Sequence, residues 1–240
     1  MWERQQNFQN AMSHELKTPL ARIIASVELI KKTNPELNEM NKSLDVIYSE
    51  AFRMAKLTDD MLLLTASYIN HHSVNLEEIE IDSLLISVFE TYQPICKKHN
   101  IKFDLLLSDV SYPILYSGKH SITQILAAFL DNALSHAKNS SQITTSCTKS
   151  TFTIYVVDHG CGIPDEAKPY IFDPFFCGDA SHTDRSHFGL GLSIAQSLVK
   201  GLNGSIGVLD TDGGGTTFIL NLPLDRRIAV SSPKNVSEKL

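Results

Sequence analysis

An antiparallel helical hairpin followed by an α/β sandwich is the fold class this sequence predicts, an α+β chain in two parts. Three observations point there. All 12 glycines lie between Gly118 and Gly215, and positions 1–70 hold only Pro19 and Pro35 as helix breakers. A glycine-free stretch of helix formers is helical, and a glycine-punctuated one is mixed. Positions 1–70 also repeat apolar side chains in steps of three and four, whereas the remainder alternates short apolar runs with helical patterns. Finally, an apolar content of 42% suffices for a proper core and excludes a disordered chain.

The first helix spans residues 1–31, with Phe8, Met12, Leu16, Leu20, Ile23, Val27 and Ile30 along one stripe. The run Lys31-Lys32-Thr33-Asn34-Pro35 breaks it. The second helix carries Leu37, Met40, Leu44, Ile47, Ala51, Met54, Thr58, Met61, Thr65 and Tyr68, a heptad seam without a slip. Two long amphipathic helices with a short break make a hairpin, and a seam this long has too few partners within one chain. A homodimer is therefore predicted, in which two hairpins form a four-helix bundle. The alternative is a hairpin packed on its own C-terminal half.

Residues 1–70 form this first part, and 71–76, which include His71, His72 and Ser73, read as a linker. The second part covers 77–224. Its expected order is a strand at 76–81, a helix at 82–100 capped by Asp82 and disturbed by Pro94, strands at 101–107 and 114–116, and a helix at 121–137. A hairpin of strands at 143–147 and 152–157 follows, then a long loop over 158–188 with one helical turn near 165–171. A helix at 190–202 and strands at 205–209 and 216–222 complete it. This order predicts one layer of helices over a mixed sheet. The polar tail, 225–240, reads as disordered.

Composition excludes several classes of function. Lys+Arg 21 against Asp+Glu 27 gives a net charge of −6, which argues against nucleic acid as a partner, since phosphate backbones require clustered cations. Cys96, Cys147, Cys161 and Cys177 show no C-x-x-C spacing, so no zinc ribbon or thioredoxin-like site is expected, and scattered thiols fit a reducing compartment. No apolar run reaches the roughly 18–20 residues of a membrane span, and the start lacks a signal-peptide pattern. No direct membrane contact is expected of this stretch of chain.

Chemistry first appears at Ser13-His14-Glu15-Leu16-Lys17-Thr18-Pro19-Leu20. His14 lies two positions before Leu16 and so faces away from the apolar stripe, toward solvent. Glu15 is adjacent and could orient the imidazole; Thr18 sits at i+4 on the same face. Pro19 inside a helix forfeits the bond to the Glu15 carbonyl, at a cost of about 3 kcal/mol unless compensated. The zinc-protease pattern H-E-x-x-H fails because position 18 is threonine. The octapeptide resembles the phosphoacceptor box of bacterial two-component sensor histidine kinases. That resemblance implies that His14 takes a phosphoryl group from ATP, that Glu15 is its acid/base partner, and that Thr18 positions water when the protein dephosphorylates its partner.

A kinase needs a nucleotide site, yet the Walker A and protein-kinase motifs are absent. Four short motifs stand instead. Asn132, in Phe129-Leu130-Asp131-Asn132-Ala133-Leu134, offers an amide oxygen suited to Mg²⁺. Asp158, in Asp158-His159-Gly160-Cys161-Gly162, ends an apolar strand and can accept a hydrogen bond from an exocyclic amine such as that of adenine. Gly160 and Gly162 allow close approach of backbone to a flat ligand. Phe172, Phe175 and Phe176 form an aromatic cluster. Gly189 and Gly191 open a helix, where free N–H groups and the helix dipole cradle phosphate. Gly213-Gly214-Gly215-Thr216-Thr217 closes the set before the last strand.

In this order the motifs resemble the asparagine, first glycine, phenylalanine and second glycine boxes of the histidine kinase ATP-binding domain, a fold shared with gyrase-like ATPases. The resemblance covers residues 7–223. It implies that Asn132 holds Mg²⁺, Asp158 reads adenine, and Gly189 and Gly191 meet phosphate. It also makes 165–188 a lid over ATP, anchored by Phe172, Phe175 and Phe176. Three positions depart from the pattern: Ala128 for a second asparagine, Ser135 for a basic residue, and His187 for a glycine. His136, Lys138 and Arg185 are candidates for the missing phosphate-binding cation. Ala128 cannot activate water as a glutamate does in the gyrase-like ATPases, so His14 is the expected acceptor.

The expectation is thus a histidine kinase core that binds ATP and Mg²⁺ and autophosphorylates His14. It then passes the phosphoryl group to an aspartate of a response regulator receiver domain. In the family such a core is the cytoplasmic portion of a bacterial membrane protein. The alternatives are a catalytically weakened scaffold of the same fold and a gyrase-type ATPase.

Overall fold

The computed structural model describes residues 2–33, 35–69, 75–107, 112, 114–178 and 188–224. Contacts divide the chain into two compact units, Met1–Ile69 with Tyr170–Ile194, and Asn70–Pro169 with Ala195–Leu240. Most of the expected linker (70–74) and the whole tail (225–240) lie outside the described residues.

The first unit is built on α1 (Trp2–Thr33) and α2 (Leu37–Ile69), the expected hairpin. Lys31 and Lys32 in the last turn of α1 complement its dipole. On α2 the seam turned away from solvent is Met40, Ser43, Ile47, Glu50, Met54, Leu57, Met61 and Leu64, with Arg53, Asp60 and Leu63 half-buried beside it. The steps along the seam again alternate three and four, but it is rotated from the one expected. Met40, Ile47, Met54 and Met61 belong to both, while Leu37, Leu44, Ala51, Thr58 and Thr65 are exposed. The shared column has a heptad column on either flank, and α1 covers only one of the two. The polar occupant of the covered flank, Glu50, takes two arginines: Arg22 across the hairpin at 2.6 Å and Arg53 one turn on at 3.1 Å. Leu20, counted in the α1 stripe, is exposed, and Pro19 is buried in its stead.

In the second unit, β1 (Glu77–Ile79) pairs antiparallel with β3 (Leu115–Ser117) as a small separate sheet. The main sheet has the order β2-β4-β5-β7-β6, formed by Lys102–Leu106, Ala137–Cys147, Thr151–Gly160, Thr216–Pro223 and Ser205–Asp210. β2 and β4 run parallel and the rest antiparallel, so the sheet is mixed as expected. α3 (Ile81–Lys98) packs on β2 and on α4 (Lys119–His136), and α4 lies across β4 and β5. α5 (Gly191–Gly201) buries Ala195, Leu198 and Val199. The core is Phe129, Phe152, Phe218, Ile122, Ile125, Leu126, Leu130 and Ile143, with the Phe129 and Phe218 rings stacked at 5.0 Å.

Two local expectations change. The helix expected from Asp82 begins one residue earlier, and its cap is Glu80, without a side-chain cap bond. β4 begins directly after α4, at Ala137, although 137–142 is too polar to read as a strand. It forms because it is ladder-bonded on both sides, to β2 at Ser140–Thr144 and to β5 from Ser141 onward. Backbone pairing overrides local propensity where neighbours are already in place.

Candidate functional site

The first unit places the His14 octapeptide midway along α1. His14 is exposed, Glu15 half-buried and Pro19 buried. The Thr18 hydroxyl donates to the His14 carbonyl at 3.3 Å, next to the helix bond that Pro19 cannot make. Adjacent helical residues point about 100° apart, and among the described residues no hydrogen bond joins Glu15 to the imidazole.

The same unit holds the aromatic and second glycine motifs. Phe175 takes a left-handed conformation (φ 63°), unusual for a bulky residue, and its N–H bonds the Gly189 carbonyl at 3.0 Å. Gly189 is itself left-handed (φ 69°), and a Cβ there would lie 2.7 Å from the Phe176 carbonyl oxygen. Phe175 and Gly189 are thus locked together by this bond, and Gly191 opens α5. Desolvation first, and the Glu15 carboxylate second, push the Cys177 thiol up. Arg185 and His187 lie outside the described residues.

The second unit assembles the first glycine motif around Asp158, which is only 2% exposed at the end of β5. Its Oδ1 accepts the Gly160 N–H at 2.9 Å and the Thr216 N–H at 3.2 Å. Among the described residues no partner is bonded to Oδ2. Burial pushes the carboxyl up. The two N–H bonds, then His136 and His159, pull it partly back. The glycines are required by close approach. A Cβ on Gly160 would meet the His136 carbonyl oxygen, and one on Gly215 (φ 115°) would meet the Asp158 carbonyl oxygen. Gly162 (φ 74°) lies against Gly215. Gly215→Ala should therefore destabilise the protein by about 2–4 kcal/mol in a denaturant melt. Gly207→Ala, where a Cβ meets nothing within 4 Å, should stay within about 0.5 kcal/mol.

Asn132 sits half-buried on α4, its amide without a hydrogen bond among the described residues. Its neighbour Asp131 is held from α3 by the Tyr92 hydroxyl, which donates to Oδ1 at 2.9 Å. Ser135, where the family pattern has a basic residue, spends its hydroxyl on the Asp131 carbonyl at 2.8 Å. Of the candidate substitutes, His136 is exposed and close enough to act on Asp158.

Sequence reasoning missed Tyr92, Glu50 and Arg53. Tyr92 could have been suspected as a phenol on a helix face that packs inward. Glu50 falls on a covered column only once the hairpin's rotation is known. Arg53 carries no sequence signal at all.

A helical hairpin bearing an exposed histidine beside a half-buried glutamate, ahead of a carboxylate-and-glycine nucleotide fold, defines a class of protein, the histidine kinases. Residues 4–67 match the His Kinase A (phospho-acceptor) domain, and 118–226 match the Histidine kinase-, DNA gyrase B-, and HSP90-like ATPase family. The chain belongs to the histidine kinases and is homologous to known sensor kinases. The signal transduction histidine-protein kinase ArlS of Staphylococcus haemolyticus (strain JCSC1435) is 32% identical over 90% of this chain and 48% of its own length. The sensor histidine kinase YkoH of Bacillus subtilis (strain 168) is 30% identical over 91% of this chain and 48% of its own. The chain therefore spans about half the length of these curated relatives. Among solved structures, the Acinetobacter baumannii histidine kinase AdeS shares the fold at a TM-score of 0.70 and 20% identity, over 88% of this chain and 98% of that one. Histidine kinase ThkA, in complex with response regulator protein TrrA, gives 0.75 at 22%, over 91% and 61%.

Proposed function

We propose that this protein autophosphorylates His14 from ATP and passes the phosphoryl group to an aspartate on a response regulator receiver domain. The observation that carries this reading is His14 itself, an exposed imidazole on a helix whose one proline is buried, so that the box is presented to solvent. Asp158 reads adenine. Its Oδ2 accepts from the exocyclic amine while Gly160, Gly162 and Thr216 shape the base pocket. Gly189 and Gly191 meet the phosphates through backbone N–H groups, and Phe175 anchors the stem that carries them.

In the transfer, one imidazole nitrogen forms the N–P bond as the bond from phosphorus to the ADP oxygen breaks, and Glu15 takes the ring proton. The residues present fit Mg²⁺. Among the described residues no cluster of three His, Cys, Asp or Glu side chains exists, and Asn132 offers one unengaged amide oxygen. That set suits an ion held chiefly by phosphate oxygens and water, where it supplies neutralisation of phosphate charge. Thr18 aligns water when the same protein dephosphorylates its regulator. ThkA was solved in complex with its response regulator, which supports a partner of that kind docking on the hairpin here.

Two copies pair through α2, on the heptad column that α1 leaves bare. Tyr48 and Phe52 are 74% and 66% exposed beside it. Tyr48→Glu with Phe52→Glu should halve the mass seen by light scattering; a dimer that persists would put the interface elsewhere. No helix among the described residues is long and apolar enough to cross a membrane. The chain is read as the cytoplasmic core of a longer bacterial membrane kinase.

The test is chemical. Incubation with γ-labelled ATP and Mg²⁺ should give an acid-labile, base-stable protein label that a receiver domain removes. Steady phosphate release without that label would instead mark a gyrase-type ATPase, and no Mg²⁺-dependent nucleotide binding would mark a scaffold.

A further inference from the structure

Within the first unit, Arg53 makes a set of contacts that phosphotransfer as described above does not use. Its guanidinium donates to the buried Glu50 carboxylate, which Arg22 also grips from α1. The same guanidinium carbon lies 4.9 Å from the centre of the Phe188 ring. Phe188 is 5% exposed and is the residue immediately before Gly189. Arg53 Nε is buried and has no acceptor among the described residues. A half-buried cation whose Nε–H is buried and turned to no acceptor is held in place by its other contacts, here a carboxylate on one side and an aromatic face on the other.

The register of the hairpin gives this clamp a place. Arg22 meets Glu50, so Arg53 is level with Pro19, five residues or about 7.5 Å along the axis from His14. Gly189 in turn is bonded to Phe175 and leaves no room for a side chain. The hairpin, the Phe188 ring and the Gly189 turn therefore form one mechanical series, which begins at an ion cluster joining α1 to α2.

We infer that Arg53 is a positioning residue for phosphoryl transfer. Seated on Glu50, it grips Phe188 and so holds the phosphate-binding turn Gly189–Gly191 on the helix pair that carries His14. The inference rests on the proposed kinase function, and it adds a consequence. A rearrangement of α1 against α2 that strains the Arg22–Glu50–Arg53 cluster would alter the hold on that turn.

The test uses the full chain. Arg53→Gln and Phe188→Leu should each lower kcat for His14 labelling by about tenfold or more while KM for ATP stays within about threefold, the pattern of misplacement rather than lost binding. Combined, they should cost no more than either alone, because the two act through one contact. Phe188→Tyr, which keeps the ring face, should restore the rate. In both single variants the amides of Phe188–Leu192 should exchange with deuterium faster than in the wild type. Unchanged exchange and rate in Arg53→Gln, losses that multiply in the double variant, or a raised KM at constant kcat would each overturn the inference. If Arg53→Gln fails to fold, the contrast of Phe188→Leu with Phe188→Tyr, which leaves the ion cluster intact, decides alone. If the wild type itself does not label, the kinase function falls, and the exchange and coupling measurements still decide whether Arg53 holds the turn.

Discussion

His14→Gln should leave the protein folded and able to bind nucleotide but remove the acid-labile label entirely. The imidazole is the only group on the exposed face of the box that can form an N–P bond at neutral pH, and glutamine keeps similar size and polarity without a nucleophilic nitrogen. Because His14 is exposed, its loss should move the melting temperature by little, in line with surface substitutions of about ±0.5 kcal/mol. Binding of an ATP analogue should be within about twofold of wild type, since no contact of the Asp158 cradle involves residue 14. Equal labelling of wild type and variant would place the acceptor elsewhere and end the assignment.

Asp158→Asn should separate stability from binding. In the native fold Oδ1 is fixed by two backbone N–H donors, from Gly160 and Thr216. An asparagine must keep its oxygen there, which turns its NH₂ toward the place where the ligand's amine would donate. Two donors then face each other, and nucleotide affinity should fall by about 100-fold or more, the usual penalty when a site built to pair a polar group is mismatched. Stability should move the other way. Burial is the main influence on this carboxyl and raises its pKa above the unfolded value. The native state therefore binds a proton more readily than the unfolded chain does. The charged form costs stability, and that cost grows as pH rises from the unfolded to the folded pKa and is full above it. Asparagine has no charge to bury, so at pH 7 its melting temperature should equal or exceed that of wild type, with the advantage disappearing at low pH. A variant that melts lower at pH 7 and binds ATP normally would refute both halves of the argument.

These two positions were legible in the sequence for different reasons. His14 stands out because a polar residue two steps from an apolar stripe must face solvent, and because a proline so close to it inside a helix has a cost. Asp158 stands out because an acid ends a strand of apolar residues and glycines follow it. The elements around them were equally legible wherever local pattern and tertiary use agree. That is true of α4, β5 and β7, whose apolar pattern matches the face they bury, whereas in α1 and α2 the spacing marks the helices but not the exact face they bury. The polar first half of β4 was not legible, since only its two ladder neighbours make it a strand. Nor was the left-handed Phe175, whose conformation is imposed by a bond to Gly189 and by nothing in its own chemistry.

Residue order was enough to establish a glycine-free helical hairpin ahead of a glycine-punctuated α/β fold, and to single out the box around His14. Those properties are local: spacing sets which face is apolar, and glycine sets where backbones can meet. Packing was needed to select which flanking column of α2 faces α1 and which lies bare, because the two are equivalent until a second helix covers one. Packing also brought Glu50 between Arg22 and Arg53, and Arg53 to Phe188 near the far end of the chain. Contacts between such distant positions arise from the way whole elements dock, and they leave no periodic trace in the chain.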